Sequence, residues 1–128
     1  MTSLYPMFDE SLPSADRFDG SYLSHALNKL DRVAAADGLV PLSSFIDART
    51  MALEVLAEDQ LPRNCPPVRW YSAQEGLITV QGLLLYYHQL PEAPLELVAG
   101  LILELQHLES LLKEAETEGA RFHLLVDI

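Results

Sequence analysis

Cysteine and basic residues are both scarce in this chain. Its 128 residues include one cysteine, Cys65, which excludes a disulfide within the chain and agrees with a reducing cytoplasm. Eight lysine and arginine residues stand against nineteen aspartates and glutamates, for a formal net charge of −11. Because the basic residues are scattered and negative charge repels phosphates, we expect no nucleic-acid partner.

Long apolar runs are absent too. The longest stretch without a polar side chain is Leu97 to Leu103, and its seven residues fall far short of the ~20 that cross a bilayer. The first ten residues have neither a basic start nor an apolar stretch of signal-peptide length. We therefore expect a soluble cytoplasmic protein without a membrane partner.

Signatures of catalysis are missing as well. The sequence has no Gly-x-Ser-x-Gly elbow, no Cys-x-x-Cys pair, no His-Glu-x-x-His and no glycine-rich phosphate loop. Glu104 and His107 have the Glu-x-x-His spacing of di-iron bundles, but the second matching pair that such sites need is absent. We predict that the chain is not an enzyme and holds no cofactor and no metal ion.

Four stretches of the chain carry apolar side chains at three- and four-residue steps, which is the spacing of one helix face. The first predicted helix runs from an N-cap at Ser21 to a terminating Gly38. The second begins at a cap at Ser43 or Ser44 and ends before Pro62. Both are amphipathic, so each is expected to bury one face.

The third and fourth predicted helices form the centre of the domain. A capping box, Ser72-Ala73-Gln74-Glu75, starts the third helix, which reaches about Leu90 and is apolar on nearly all sides. The fourth runs from Leu95 to Glu118 and stops at Gly119. Because the linker between them is short, we expect the two helices to pack as an antiparallel hairpin.

The two ends of the chain depart from the helical pattern. Residues 1–20 show no helical period and are predicted to be an irregular acidic N-terminal arm, and residues 21–128 form the single domain. Alternating apolar residues in 121–128 predict a strand, and residues 39–42 are its expected mate. The predicted fold is mostly α, a four-helix single domain with a central antiparallel helix hairpin and a minor two-stranded β element at the C-terminus.

Three polar residues fall among apolar ones on the third and fourth predicted helices. Glu104 lies inside an apolar arc, Gln81 and His88 are flanked by apolar residues, and antiparallel pairing puts Gln81 level with Glu104. A buried carboxylate needs a hydrogen-bonding partner, so we expect a buried polar cluster that satisfies itself in the helix interface. A ligand pocket and an acid/base pair are the alternatives.

Two segments are candidate partner-binding surfaces. Arg69, Trp70 and Tyr71 are of the residue types that dominate interface hot spots, although Trp70 could equally fill the core. Residues 92–118 hold seven glutamates and one lysine, a composition that suits a solvated face or a docking face for a basic protein. The candidate contact residues on this second segment are Glu109, Glu114, Glu116 and Glu118.

These observations leave three hypotheses for function. The first is a small, acidic, non-catalytic protein that acts by protein–protein interaction, as an adaptor or as an inhibitor of the immunity type with a basic partner. The second is a self-associating structural protein, a homodimer that covers the excess apolar surface of the third helix. The third is a small-molecule binder or enzyme that uses Gln81, His88 and Glu104.

Overall fold

A computed structural model of the chain describes residues 3–10, 12, 18–46, 69–89 and 95–127. Helices dominate this part of the chain, as predicted, and a small sheet accompanies them. The elements in chain order are β1 (Ser3–Phe8), α1 (Ser21–Ala36), a 3-10 helix (Leu42–Phe45), β2 (Tyr71–Ser72), α2 (Ala73–His88), α3 (Leu95–Glu118) and β3 (Arg121–Asp127). The third and fourth predicted helices are thus α2 and α3.

The predicted count of four helices is not confirmed, since the described residues contain three α-helices. Residues 47–61 of the second predicted helix, and the linker 91–94 of the predicted hairpin, lie outside the described residues. The described start of that second helix differs from the prediction. The backbone is extended at Pro41, forms one 3-10 turn and is extended again at Ile46, which bridges in parallel to Leu124 of β3.

The sheet also differs from the predicted two-stranded element. Its strand order is β1-β3-β2, with β3 antiparallel to both neighbours. The N-terminal segment that we predicted to be irregular supplies β1, in which Ser3 lies opposite Asp127 and Phe8 opposite Phe122. Residues 39–42, the predicted mate of β3, form no strand. The C-terminal strand itself is confirmed.

Both ends of β1 are tied to neighbouring backbone. The amide of Leu4 donates to the carbonyl oxygen of Gly20 (3.1 Å), and Pro6 has no amide hydrogen to offer. A proline is tolerated in an edge strand and discourages a further strand from pairing there. Just beyond β1, the Asp9 carboxylate accepts hydrogen bonds from the backbone amide (2.7 Å) and the guanidinium (3.0 Å) of Arg121.

The core lies between the helices and one face of the sheet. α2 approaches β3 at Gly76, where a Cβ atom would lie 2.5 Å from the ring of Phe122, so a side chain there would force the helix away. On the opposite face of β3, His123 and Leu125 are buried too. The largest fully buried side chains include Leu4, Leu23, Leu30, Leu42, Phe45, Leu83, Leu105, Leu108, Leu112, Phe122 and Leu124.

Helices α1 and α3 end in the same way. Gly38 and Gly119 both have φ of 72°, the left-handed conformation that glycine adopts without a Cβ clash. The residue after each glycine donates a 2.8 Å hydrogen bond back into the helix, from Leu39 to Ala34 and from Ala120 to Ala115. This is the Schellman motif, which satisfies carbonyl groups that a helix end leaves open. Both predicted terminating glycines are confirmed.

Candidate functional site

The N-cap position of α1 supplies no side-chain cap. Its N-cap is Gly20 rather than the predicted Ser21. A Cβ atom at Gly20 would overlap the carbonyl oxygen of Leu4, because β1 runs directly against this position. The serine or aspartate that normally caps a helix therefore cannot stand here. The Asp19 carboxylate accepts from the Ser21 amide (3.1 Å), whereas the amides of Tyr22 and Leu23 need an acceptor from elsewhere in the chain.

Glu104 on α3 supplies that acceptor. One carboxylate oxygen of Glu104 accepts from the amide of Leu23 (2.9 Å) and the other from the amide of Tyr22 (3.2 Å). A negative charge at this position also suits the positive end of the α1 dipole. The sequence predicted that Glu104 is buried; in the structure it is half-buried, and a capping role explains this position.

Burial and hydrogen bonding shift the pKa of Glu104 in opposite directions. Burial raises the pKa of Glu104, the hydrogen bonds from the Leu23 and Tyr22 amides lower it, and the nearby charge of Asp19 raises it again. The net pKa lies above the ordinary value of the carboxyl group. Both carboxylate oxygens are nevertheless engaged by backbone amides, and this leaves the group poorly placed to serve as an acid or base for a substrate.

The predicted buried cluster of Gln81, His88 and Glu104 is wrong for two of its members. Gln81 and His88 are exposed on α2, while Glu104 is half-buried and bonded to α1. The helical wheel placed Gln81 and His88 close to the apolar residues of the third predicted helix. It did not show that the buried face of α2 excludes Gln81 and His88. Their side chains meet water and need no partner in the interior.

The aromatic segment packs largely on its own chain. The ring of Trp70 lies over His123, with ring centroids 4.2 Å apart, and the guanidinium of Arg69 lies 5.1 Å from the centre of the Tyr71 ring. Tyr71 also meets Phe45 edge to face at 5.2 Å. Trp70 and Tyr71 are half-buried and Arg69 is exposed. The partner-binding role of these residues stays a prediction, since these contacts fit a structural role equally well.

The predicted acidic contact residues divide along α3. Glu109 and Glu114 are half-buried, and Glu109 lies 3.9 Å from Lys113 as an ion pair one turn apart. Glu116 and Glu118 are exposed in the last turn, where no basic residue accompanies them. Negative charge at the carboxyl end of a helix opposes the helix dipole, so these two glutamates reduce the local stability of α3.

Helix α2 exposes two large aliphatic side chains on one face, which the sequence had shown only as an unusually broad apolar helix. Ile78 is 56% and Leu85 60% exposed, one heptad apart. The exposed residues in line with them along the helix are two amides and an imidazole, at Gln74, Gln81 and His88, and exposed Glu75 lies to one side of this line. We call the five residues in this line the α2 stripe. Leu103 on α3 is a further exposed leucine, at 66%.

Tyr87 is a buried residue of α2 with a polar group. Its hydroxyl is buried and has no hydrogen-bonding partner within the described part of the chain. Burial, together with the neighbouring Tyr86, raises the pKa of Tyr87 above its ordinary value. The phenol is therefore neutral near pH 7, and its ring packs edge to face on Tyr86 at 5.1 Å. Nothing about it points to a nucleophile.

In the described ranges of the chain, no group of three or more histidine, cysteine, aspartate or glutamate side chains is arranged to hold a metal ion. None of the described helices combines the length and apolar character that crossing a membrane requires. No protein-family model matches the sequence, and searches of curated proteins and of solved structures find no significant match.

Proposed function

We propose that this chain acts by binding another protein chain, through the α2 stripe, and not by catalysis. The observation that carries the proposal is the exposure of Ile78 and Leu85 on one face of a helix whose other faces are buried. Large aliphatic side chains exposed on one helix face are common at protein-binding surfaces, because association removes them from water. We place this interaction in the cytoplasm, following the single cysteine of the chain.

The position of Glu104 supports a non-catalytic role. It is the one carboxyl group of the predicted polar cluster that the fold partly buries, and its oxygens serve the first turn of α1. Gln81 and His88, the other members, contribute to the outer surface and so are available to a partner. The polar residues that a pocket would have needed are thus divided between a helix cap and an exposed stripe.

A photo-crosslinking amino acid at Gln81 tests the proposal in cells that express the chain. We expect a protein adduct from position 81, but not from Gln106, an exposed glutamine on α3. Leu85→Glu should abolish the adduct, whereas Leu103→Glu, which changes an equally exposed leucine on another helix, should leave it intact. Equal adduct yields from positions 81 and 106 would contradict the proposal.

A second candidate, a basic protein partner bound at the end of α3, is favoured by a separate observation. Glu116 and Glu118 are exposed at the negative end of the helix dipole without a compensating basic residue. A basic protein docked there would relieve that repulsion, and its attraction would weaken with salt. This is the arrangement expected of an adaptor or an immunity-type inhibitor.

A lysine-rich peptide serves as the probe for this second surface. We expect it to shift the backbone NMR signals of residues 114–119 more than those elsewhere, and the shifts should fade at high salt. Replacing Glu114, Glu116 and Glu118 by glutamine should remove them. A matched triple change, Asp31→Asn, Asp37→Asn and Glu75→Gln, should not, and the amides keep the acceptor oxygens that Asp31 and Glu75 offer to backbone amides. Equal loss of binding from both triple variants would show attraction to net charge only and would refute a specific surface.

A further inference from the structure

The spacing of the α2 stripe is that of a helix-pairing seam. The exposed positions Gln74, Ile78, Gln81, Leu85 and His88 follow one another at steps of four, three, four and three residues. Alternating steps of three and four residues keep these side chains on one side of the helix, as in the heptad repeat of paired helices. The stripe extends over fourteen residue steps, or about 21 Å along the helix axis, so it occupies most of the length of α2.

The charge of the stripe indicates what kind of partner it fits. None of its five residues is an aspartate, glutamate, lysine or arginine, although the chain carries a net charge of −11. Exposed Glu75 beside the stripe is bonded to Ser72 in the capping box, and a basic partner would find no carboxylate in the stripe itself to pair with. A second copy of the chain carries the same −11 charge, and an uncharged face is where two such copies can meet with least repulsion.

The order of the residues along the stripe is symmetric about Gln81. Ile78 and Leu85 lie three and four residues on either side of Gln81, and Gln74 and His88 lie seven residues on either side. A two-fold axis near Gln81 would therefore bring each Ile78 against Leu85 of the second copy. It would also bring the two Gln81 amides together and put Gln74 opposite His88. Amide and imidazole groups can hydrogen-bond in those pairings.

We propose that the partner of the α2 stripe is a second copy of this chain, packed antiparallel about a two-fold axis near Gln81. This inference rests on the proposed function, because it names the occupant of the same surface. Stable dimers bury more than about 1,000 Å², and one seam between two helices falls at or below that figure. The dimer is therefore weak, and its mass should change with concentration in the micromolar range.

Sedimentation equilibrium from micromolar to several hundred micromolar protein measures this association directly. We expect the mass to rise from 14.3 kDa towards twice that value. Leu85→Glu should hold the chain at the monomer mass at every concentration, and circular dichroism should show unchanged helix content. The Leu103→Glu variant should dimerise to the same extent as the unchanged chain. A mass of 14.3 kDa throughout the range for the unchanged chain would overturn the proposal.

Disulfide trapping tests the geometry in a Cys65→Ser background whose fold has been verified by circular dichroism. Mild oxidation should link Gln81→Cys chains to one another at least tenfold faster than Gln106→Cys chains. A mixture of Gln74→Cys and His88→Cys chains should form the mixed dimer in preference to either self-linked dimer. Self-linked dimers in preference to the mixed one would indicate parallel packing and refute the antiparallel arrangement.

The two experiments also separate this inference from the proposed function. If the purified chain stays monomeric while photo-crosslinking at position 81 still yields an adduct with a different protein, the second copy is the wrong occupant and the α2 stripe is still a binding surface. If position 81 yields no adduct of either kind, both proposals fail together.

Discussion

The capping role of Glu104 makes a quantitative prediction about stability. Glu104→Ala removes the acceptors of the Tyr22 and Leu23 amides in the first turn of α1, where Gly20 can offer none, and leaves only Asp19 as the acceptor of the Ser21 amide. The amide of Leu23 lies in a partly buried position, so water replaces the lost acceptor only incompletely. We expect the start of α1 to fray and the free energy of unfolding to fall.

The size of the effect follows from the two hydrogen bonds. Replacing a capping side chain by alanine costs about 0.5 to 2 kcal/mol, and one hydrogen bond to a charged group contributes about 1.5 to 3 kcal/mol. The burial of the Glu104 charge and its repulsion by Asp19 offset part of this. We therefore expect a loss of about 1 to 2 kcal/mol, which corresponds to a melting temperature lower by about 3 to 8 °C for a chain of this size.

The pH dependence of this loss has a definite sign. Burial raises the pKa of Glu104 in the folded chain above its ordinary value of 4.5. The contribution of Glu104 to stability is then complete below the ordinary pKa and declines as the pH rises through the folded pKa. The difference in free energy of unfolding between the unchanged chain and Glu104→Ala should thus be larger at pH 4 than at pH 7. A difference that grows with pH would show that the hydrogen bonds outweigh burial.

Urea denaturation at 25 °C, followed by circular dichroism, provides the measurement. Glu116→Ala is the matched control, because Glu116 is an exposed glutamate in the last turn of the same helix. It should change the free energy of unfolding by less than about 0.5 kcal/mol, and in the stabilising direction, since it removes a charge that opposes the dipole. The capping argument is refuted if Glu104→Ala and Glu116→Ala are equally stable.

Three further predictions concern stability. Two of them change glycines, and the third changes a surface ion pair. Gly20→Ala should cost about 2 kcal/mol or more by urea denaturation, because the methyl group would overlap the backbone of β1. Gly38→Ala meets no neighbour but retains φ of 72°, so it should cost only about 1 to 2 kcal/mol. Burial raises the pKa of Asp9, but the hydrogen bonds and charge of Arg121 more than offset this and lower it below 3.8. The stability that Asp9 provides is therefore present above pH 3.8 and lost as the pH falls through the lowered folded pKa. The difference between the unchanged chain and Asp9→Asn in urea should shrink towards pH 2.

Local signals explain why α1, α2 and α3 were predictable. The box that starts α2 is complete, since the Ser72 hydroxyl accepts from the Glu75 amide and the Glu75 carboxylate accepts from the Ser72 amide. Gly38 and Gly119 end α1 and α3 in the left-handed conformation. Each of these features depends on residues a few positions apart, so a reading of neighbouring residues suffices to find it.

The sheet and the cap of α1 were not predictable because both depend on distant residues. β1 begins at Ser3 and pairs with a strand that ends at Asp127, and its Pro6 argues against a strand when the segment is read alone. The helical wheel correctly turned Glu104 inwards, but it could consider only the adjacent helix as a partner. The Glu104 carboxylate is the acceptor for the amide of Leu23, which lies 81 residues from Glu104 in the sequence. This acceptor is needed because β1 excludes a side chain from Gly20.

Two features of the surface depart from what stability alone would favour in these helices. Ile78 and Leu85 leave aliphatic area in water on α2, and Glu116 and Glu118 place negative charge at the negative end of α3. Polar residues in the first case and lysines in the second would serve the fold better, and substitutions of that kind are readily available to a chain. Such departures from local rules are expected where residues serve a function. The two surfaces lie on different helices and differ in chemistry, so Leu85→Glu should affect only the α2 stripe and the glutamine variants only a basic partner. Function and stability can therefore be separated by experiment at each surface.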